Sequence, residues 1–248
     1  MNDTPNLPYF KIDSSEHDNL SARTGTLITS HGEIPTPAFF PVATQGTVKS
    51  LSSSDITEIG YKAFISNAYH LSLRPGIDSI KSLGGLHEFI NWEGSIATDS
   101  GGFQLASLAK NIQISDEAVT FRSHIDRSLK HISTELSIRI QEELGADIIM
   151  AFDECPPGQA DEKTVKFAVD RTTRLIKECR AFLNENESLY DWNQILFPIV
   201  QGGIFPNLRK ASACSLIPYA DSGIAIGGLA VGEEKNAMFE TIHLMDSL

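Results

Sequence analysis

Ser95-Ile96-Ala97-Thr98-Asp99-Ser100-Gly101-Gly102-Phe103-Gln104, residues 95–104, runs from a short apolar stretch into an acid, two glycines and an aromatic. That order of residue types describes a strand delivering a carboxylate to a tight turn. Gly101 and Gly102 supply backbone angles, or a close approach, that a side chain would forbid, and Phe103 offers a flat face on which a planar ligand could stack. Taken by itself the string equally describes a sharp βα turn with a solvated Asp, so its meaning depends on the rest of the chain.

Working outward, five further β-like runs stand at 37–43, 63–70, 146–154, 195–203 and 223–229, which with 95–102 makes six strand candidates. Helical patterns fit between them. Over Thr134 to Leu144 the residues Leu136, Ile140 and Leu144 recur every fourth position, Ser133 can cap and Gly145 stops the helix. After Asp161, the residues Val165, Ala168, Thr172, Leu175, Ile176, Cys179 and Phe182 make one inward stripe, with Cys179 as a core residue. Repeated βα units predict a parallel sheet. Two segments break the alternation: 111–131, whose Val119-Thr120-Phe121-Arg122 reads as an inserted hairpin, and the polar linker 184–193.

Several strand candidates end in a polar or glycine-rich signature: Asn67-Ala68-Tyr69-His70, Asp99 to Gly102, Asp153-Glu154-Cys155, Gln201-Gly202-Gly203 and Gly227-Gly228-Leu229-Ala230. In a parallel (β/α)8 barrel, the TIM-barrel form of α/β fold, every strand's C-terminal end faces the same mouth, so these groups are predicted to converge on one pocket. A carboxylate accepts two parallel hydrogen bonds from adjacent N–H groups, matching the N1–H and N2–H₂ edge of guanine, and a Gln amide or glycine N–H can donate to O6. Asp153, Gln201 and Gly228 could therefore read a guanine, with Phe103 stacked on it and Asp99 left for proton transfer or for holding a reacting sugar.

With 248 residues and 41% apolar content the chain can bury a substantial core. The polar stretch 1–19 has no signal-peptide core, and no run approaches the ~20 apolar residues of a membrane span, so the expected setting is the cytoplasm, without a membrane partner. Cys155, Cys179 and Cys214 lie far apart with no C-x-x-C pair, which suggests neither a disulfide framework nor a metal knuckle. The formal net charge of −12 argues against this chain alone gripping a phosphate backbone.

Over essentially its whole length the chain resembles the tRNA-guanine transglycosylases, or queuine tRNA-ribosyltransferases. The motifs are Ala22-Arg23-Thr24-Gly25-Thr26, residues 36–42, Tyr69-His70-Leu71, Leu73-Arg74-Pro75-Gly76, residues 98–104, residues 150–155, Val200-Gln201-Gly202-Gly203 and residues 227–233. The resemblance implies a TIM-barrel enzyme that exchanges a guanine in the anticodon loop of tRNA for a 7-deazaguanine base by double displacement, and it allows a homodimer of the full-length form. It implies that Asp99 is the general acid/base, that Ser100, Gly101, Gly102 and Phe103 belong to the substrate loop, and that Asp153, Gln201 and Gly228 read the base. Asn67 and Gln104 resemble residues that restrain Asp99, and Cys155 falls in the same base-pocket motif. Leu229-Ala230-Val231-Gly232 is similar to the bacterial loop, where the Leu-Ala peptide recognises the substituent of 7-aminomethyl-7-deazaguanine and Glu233 orients it.

The chain departs from the resemblance at Leu248, soon after the sixth strand candidate. Two further βα units, an Asp nucleophile and a Cys-x-Cys-x-x-Cys…His zinc site are implied and do not appear in the sequence. The expectation is a single incomplete barrel of about six βα units over 1–248, plus an N-terminal segment and the hairpin. It would be a truncated sequence or shortened paralogue with no metal or cofactor of its own, Zn²⁺ belonging to the full-length form, and inactive alone. Two rivals are weighed. A glycosidase using Asp99 and Asp153 gives no reason for Gln201 and the Gly227-Gly228 turn to share the pocket. A non-catalytic tRNA-binding or partner subunit would be expected to lose Asp99 or Asp153.

Overall fold

A computed structural model describes residues 10–15, 22–102, 113–114, 118–122 and 127–248. Three antiparallel strands come first, β1 (Phe10–Ser15), β2 (Arg23–Thr29) and β3 (Gly32–Thr36). Helix α1 (Ser53–Ile59) follows, started by a capping box in which Ser52 and Asp55 each satisfy the other's backbone N–H. Next come β4 (Ala63–Asn67), α2 (Ala68–Leu71), α3 (Ile77–Ser82), α4 (Leu86–Ile90) and β5 (Ser95–Asp99). The hairpin expected around Val119–Arg122 is present with a third strand: β6 (Gln113–Ile114), β7 (Ala118–Arg122) and β8 (Leu129–Ser133) form an antiparallel sheet. The remainder alternates through α5 (Thr134–Leu144), β9 (Ile148–Met150), α6 (Glu162–Glu185), β10 (Ile195–Phe197), β11 (Ile199–Val200), α7 (Pro206–Leu216), β12 (Ala225–Ile226) and α8 (Lys235–Asp246).

The parallel strands make a mixed α/β fold. β4, β5, β9 and β10 are hydrogen-bonded neighbours in chain order; Val42 bridges to Ile65 beyond β4, and β11 pairs in parallel with β12. Strands β4 and β5 are buried along both faces, as parallel strands covered by helices must be. Pro198 has no N–H to offer a ladder, and the chain changes partner there, from β9 on one side of it to β12 on the other. The strand expected over 37–43 reduces to the single bridge at Val42, because Pro37 and Pro41 remove ladder donors. The other ladders stop at Asn67, Asp99, Met150, Val200 and Ile226, short of the expected ends, since each polar signature leaves the sheet instead of pairing in it.

Helix α5 has the predicted limits, with Ser133 accepting from Leu136 N–H and Gly145 in the left-handed region. Of the expected Leu136-Ile140-Leu144 stripe, Ile140 and Leu144 are buried and Leu136 is exposed, while Ser137, Ile138 and Gln141 join the inward face. The polar Gln141 is drawn inward by the strands it meets. Its Oε1 accepts from Thr98 Oγ1 (3.0 Å) and Met150 N–H (2.9 Å), and its Nε2 donates to Met150 O (2.9 Å), which closes the ends of β5 and β9. Helix α6 buries Val165, Ala168, Thr172, Leu175, Ile176 and Cys179 as its periodicity predicts. Burial pushes the Cys179 thiol up to about 12, which suits an inert core residue. The 184–193 linker is less polar in effect than it reads: Tyr190 and Trp192 stack at 4.4 Å and donate to Glu143 O and Gly145 O. Among the described residues no helix is long and apolar enough to cross a membrane.

Candidate active site

The in-register pairing of β4 with β5 puts Asn67 directly beside Asp99. From there Asn67 Nδ2 donates to Asp99 Oδ2 at 2.7 Å, while Asn67 Oδ1 accepts from His70 N–H and so caps α2. Asp99 Oδ1 accepts from Ala68 N–H (3.2 Å) and Gly101 N–H (3.1 Å). Three donors on two strand ends thus fix the orientation of this carboxylate. Phe103 and Gln104 lie outside the described residues.

Asp99 lines a cavity of ≈ 350 Å³ with Ser100, Asp153, Cys155, Gln201 and the turn from Gly227 to Val231. Of the described residues singled out in the sequence, Asp99, Ser100, Asp153, Cys155, Gln201, Gly228 and Leu229 meet in this cavity. Asn67, Gly101, Gly102 and Glu233 stand behind it, holding its walls. Asp153 follows β9. Its Oδ2 accepts from Gln201 Nε2 (2.6 Å) and its Oδ1 from Ser100 Oγ (3.4 Å), which in turn accepts from Gly102 N–H. Burial pushes the Asp153 carboxyl up to about 6 against those hydrogen bonds, and the neighbouring Glu154 charge adds to the rise. Burial likewise raises the Cys155 thiol, to about 11, so it presents a neutral group to the cavity.

The fourth wall is a turn with two anchors. Gly228 has φ 63°, and a Cβ there would collide with Gln201 Oε1, so only glycine lets the turn approach that amide. Glu233 accepts from Ala230 N–H and from Val231 N–H (2.9 Å), and these bonds hold its carboxyl below the ordinary value against partial burial. Gly158 N–H donates to Val231 O, tying the turn to the loop after Asp153. Beneath it lies Arg209 of α7, which is fully buried and donates to backbone carbonyls of Val200, Gly203, Gly227 and Gly228. Sequence reading passed over Arg209. Its signal is helical phase: Arg209 shares the inward face of α7 with Ser212, Ala213 and Leu216, and an Arg on such a face needs a reason.

At the opposite ends of the strands, Asp147 collects His31 of the β2–β3 turn and His87 of α4. Among the described residues these three are the cluster that could be tested against the zinc implied by the resemblance. The fit is poor. The two imidazoles stack with centroids 3.7 Å apart and planes 15° from parallel; each nitrogen's lone pair lies in its own ring plane, so one ion about 2 Å from both would sit out of both planes. The nitrogens instead meet different oxygens of Asp147, at 2.8 and 3.2 Å, as hydrogen-bonding partners do.

Similarity to known proteins agrees with this geometry. The family model described as queuine tRNA-ribosyltransferase matches residues 18–248. A queuine tRNA-ribosyltransferase of Halothermothrix orenii is 50% identical over 224 residues, covering 90% of this chain and 58% of the relative. One of Acetivibrio thermocellus is 49% identical over 223 residues, with 90% and 58% covered, and one of Deinococcus radiodurans is 44% identical over 233 residues, with 94% and 57% covered. The chain spans about three fifths of the length of these relatives, 57–58%. With a family model over nearly all of its length and relatives near half identity across it, this chain belongs to the queuine tRNA-ribosyltransferase family.

Proposed function

We propose that the cavity is the base pocket of a tRNA-guanine transglycosylase, which exchanges an anticodon-loop guanine for 7-aminomethyl-7-deazaguanine in the cytoplasm, and that the parallel strands are an arc of a (β/α)8 barrel. The observation that carries the reading is the meeting of Asp99, Asp153, Gln201 and Gly228 in one ≈ 350 Å³ cavity, although the sequence spreads them over four strand ends. Asp153 accepts the N1–H and N2–H₂ groups of the base; Gln201 and the Gly228 N–H donate to O6. Asp99, held by Asn67, Ala68 and Gly101, carries the proton that the departing and incoming bases exchange. The chain supplies recognition and acid/base chemistry to a double displacement in which another carboxylate holds the ribose.

The raised Asp153 sets a pH dependence. Its anion accepts both donor groups, so guanine affinity is expected to be level above pH 6 and to fall as the pH drops through about 6, where the carboxyl takes up a proton. Calorimetric titrations from pH 5 to 8 check this, and a flat profile would remove Asp153 from the contact.

The turn also bears on which base enters. Because the Ala230 N–H is taken by Glu233, the Leu229 carbonyl of the same trans peptide faces away from Glu233, and with Leu229 lining the cavity it is the acceptor this reading offers to a cationic aminomethyl group. Val231 stands in the path of a bulkier substituent. In a competition assay 7-aminomethyl-7-deazaguanine is expected well ahead of queuine, and Val231→Gly to narrow the gap. Preference for queuine in the unmutated protein would overturn the assignment.

A further inference from the structure

Arg209 spends a whole guanidinium on carbonyl oxygens. Its Nε donates to Gly203 O (2.7 Å), one terminal nitrogen to Val200 O (2.9 Å) and Gly227 O (2.7 Å), and the other to Gly228 O (3.1 Å). The side chain is fully buried, so a desolvated charge is maintained here with a rigid fork of donors as its recognition element.

The consequence follows from peptide geometry. The Gly227–Gly228 and Gly228–Leu229 peptides are trans, and in a trans peptide the C=O and the following N–H point in opposite directions. Drawing the Gly227 and Gly228 carbonyls down onto Arg209 therefore turns the Gly228 and Leu229 N–H groups up, away from it. In keeping with this, the Gly228 N–H lies near enough to the Cys155 thiol, which lines the cavity, to offset part of the rise that burial gives that thiol. A thiol is a weak acceptor, so this donor is left available to a better one.

We propose that Arg209 is a positioning residue that aims the Gly228 and Leu229 amides into the base pocket, making that wall a preorganised pair of donors for an acceptor at C6 of the bound purine. The inference rests on the base-pocket reading. It adds that the backbone share of the specificity for the C6 carbonyl, beside the Gln201 amide, is set from beneath the pocket by a residue that never touches the base. Glu233 does the complementary work one peptide further on, by taking the N–H groups of Ala230 and Val231.

The test compares three purines on the full chain, unmutated and as Arg209→Met. Guanine presents O6; 6-thioguanine keeps the N1–H and N2–H₂ edge but replaces O6 by a weak acceptor; hypoxanthine keeps O6 and loses the amino group. Arg209→Met is expected to weaken guanine about tenfold or more, to shrink the guanine-to-6-thioguanine ratio severalfold, leaving the part that Gln201 supplies, and to leave the guanine-to-hypoxanthine ratio unchanged. A merely structural Arg209 would weaken all three by one factor, which would overturn the proposal while leaving the pocket reading intact. Full rescue by Arg209→Lys would also overturn it, since a point charge cannot reproduce the fork. If Arg209→Met does not fold, ¹⁵N-glycine labelling of the unmutated protein decides: the Gly228 amide resonance should move on adding guanine and move much less with 6-thioguanine. No response at Gly228 overturns the proposal, and absence of guanine binding in the unmutated protein overturns the pocket reading with it.

Discussion

Asp147→Ala is expected to lower the stability of the fold by about 3–5 kcal/mol, the scale seen when one member of a buried charged or hydrogen-bonded set is removed. Asp147 is wholly buried, and its carboxylate accepts from four donors: His31 N–H (3.2 Å), His31 Nδ1 (2.8 Å), His87 Nε2 (3.2 Å) and Ile96 N–H (2.9 Å). The donors come from the β2–β3 turn, α4 and β5, so one side chain fastens the antiparallel sheet to the foot of the parallel one. Alanine leaves all four facing a void. For a chain of this size the loss corresponds to a melting temperature lower by roughly 10 °C, readable by calorimetry or urea titration, and a change below about 1 kcal/mol would contradict the burial of the cluster.

The same residue gives the stability a pH dependence whose sign can be worked out. Burial by itself would raise the Asp147 carboxyl, but the hydrogen bonds and charges of His31 and His87 outweigh it and hold the group at about 2, below the ordinary 3.8. A depressed folded value stabilises the fold above the unfolded value. That contribution is therefore complete above about pH 4 and is lost as the pH falls toward 2. Asp147→Ala should lack this acid limb; an unchanged acid limb in the variant would assign it to other carboxylates.

Asp153→Asn is expected to weaken guanine binding by ~100-fold or more. On the base-pocket reading the carboxylate offers acceptors to both N1–H and N2–H₂, and hydrogen bonds to a charged group contribute about 1.5–3 kcal/mol each. The amide keeps one acceptor and turns an NH₂ toward the base, so one bond is lost and a donor faces a donor. It also disturbs the pocket itself, because Gln201 Nε2 and Ser100 Oγ both donate to Asp153. On the proposed function, Asp99→Asn is the contrasting case: base affinity should change little while guanine exchange into tRNA, assayed with the matching substitution in a full-length family member, is lost. Equal losses of affinity in the two variants would contradict the division of roles between these acids.

Legibility followed the range of the interaction. The limits of α5 were readable because Ser133 and Gly145 act on their immediate neighbours, and the inward stripe of α6 because periodicity is a local property. The candidate site was readable by pattern, since Asp99, Asp153, Gln201 and Gly228 each close a strand candidate. The strand expected at 37–43 is reduced to a single bridge because Pro37 and Pro41, despite the apolar run around them, lack the N–H groups a ladder needs. Ile140 and Leu144 face inward as expected, but Leu136 does not, because the inward face is shifted toward Gln141, whose place depends on Thr98 and Met150 across the layer.

Two residues show where reading along the chain stops. Asp147 looks like a turn residue after Gly145, and nothing within a few positions says otherwise; for Arg209 the helical phase shared with Ser212, Ala213 and Leu216 marks an inward side chain but not what it binds. Their partners are brought together only when the sheet forms, His31 lying 116 residues from Asp147 and Gly228 lying 19 from Arg209. By itself the sequence determined the alternation of strands and helices, the caps, and which residue types stand at the strand ends, because these depend on side-chain pattern and local backbone chemistry. The tertiary structure alone decided that Asn67 lies in register with Asp99, that Gln201 reaches Asp153, and that Arg209 donates to the Gly227 and Gly228 carbonyls. Each of these is a contact between segments whose approach is set by sheet register and helix packing.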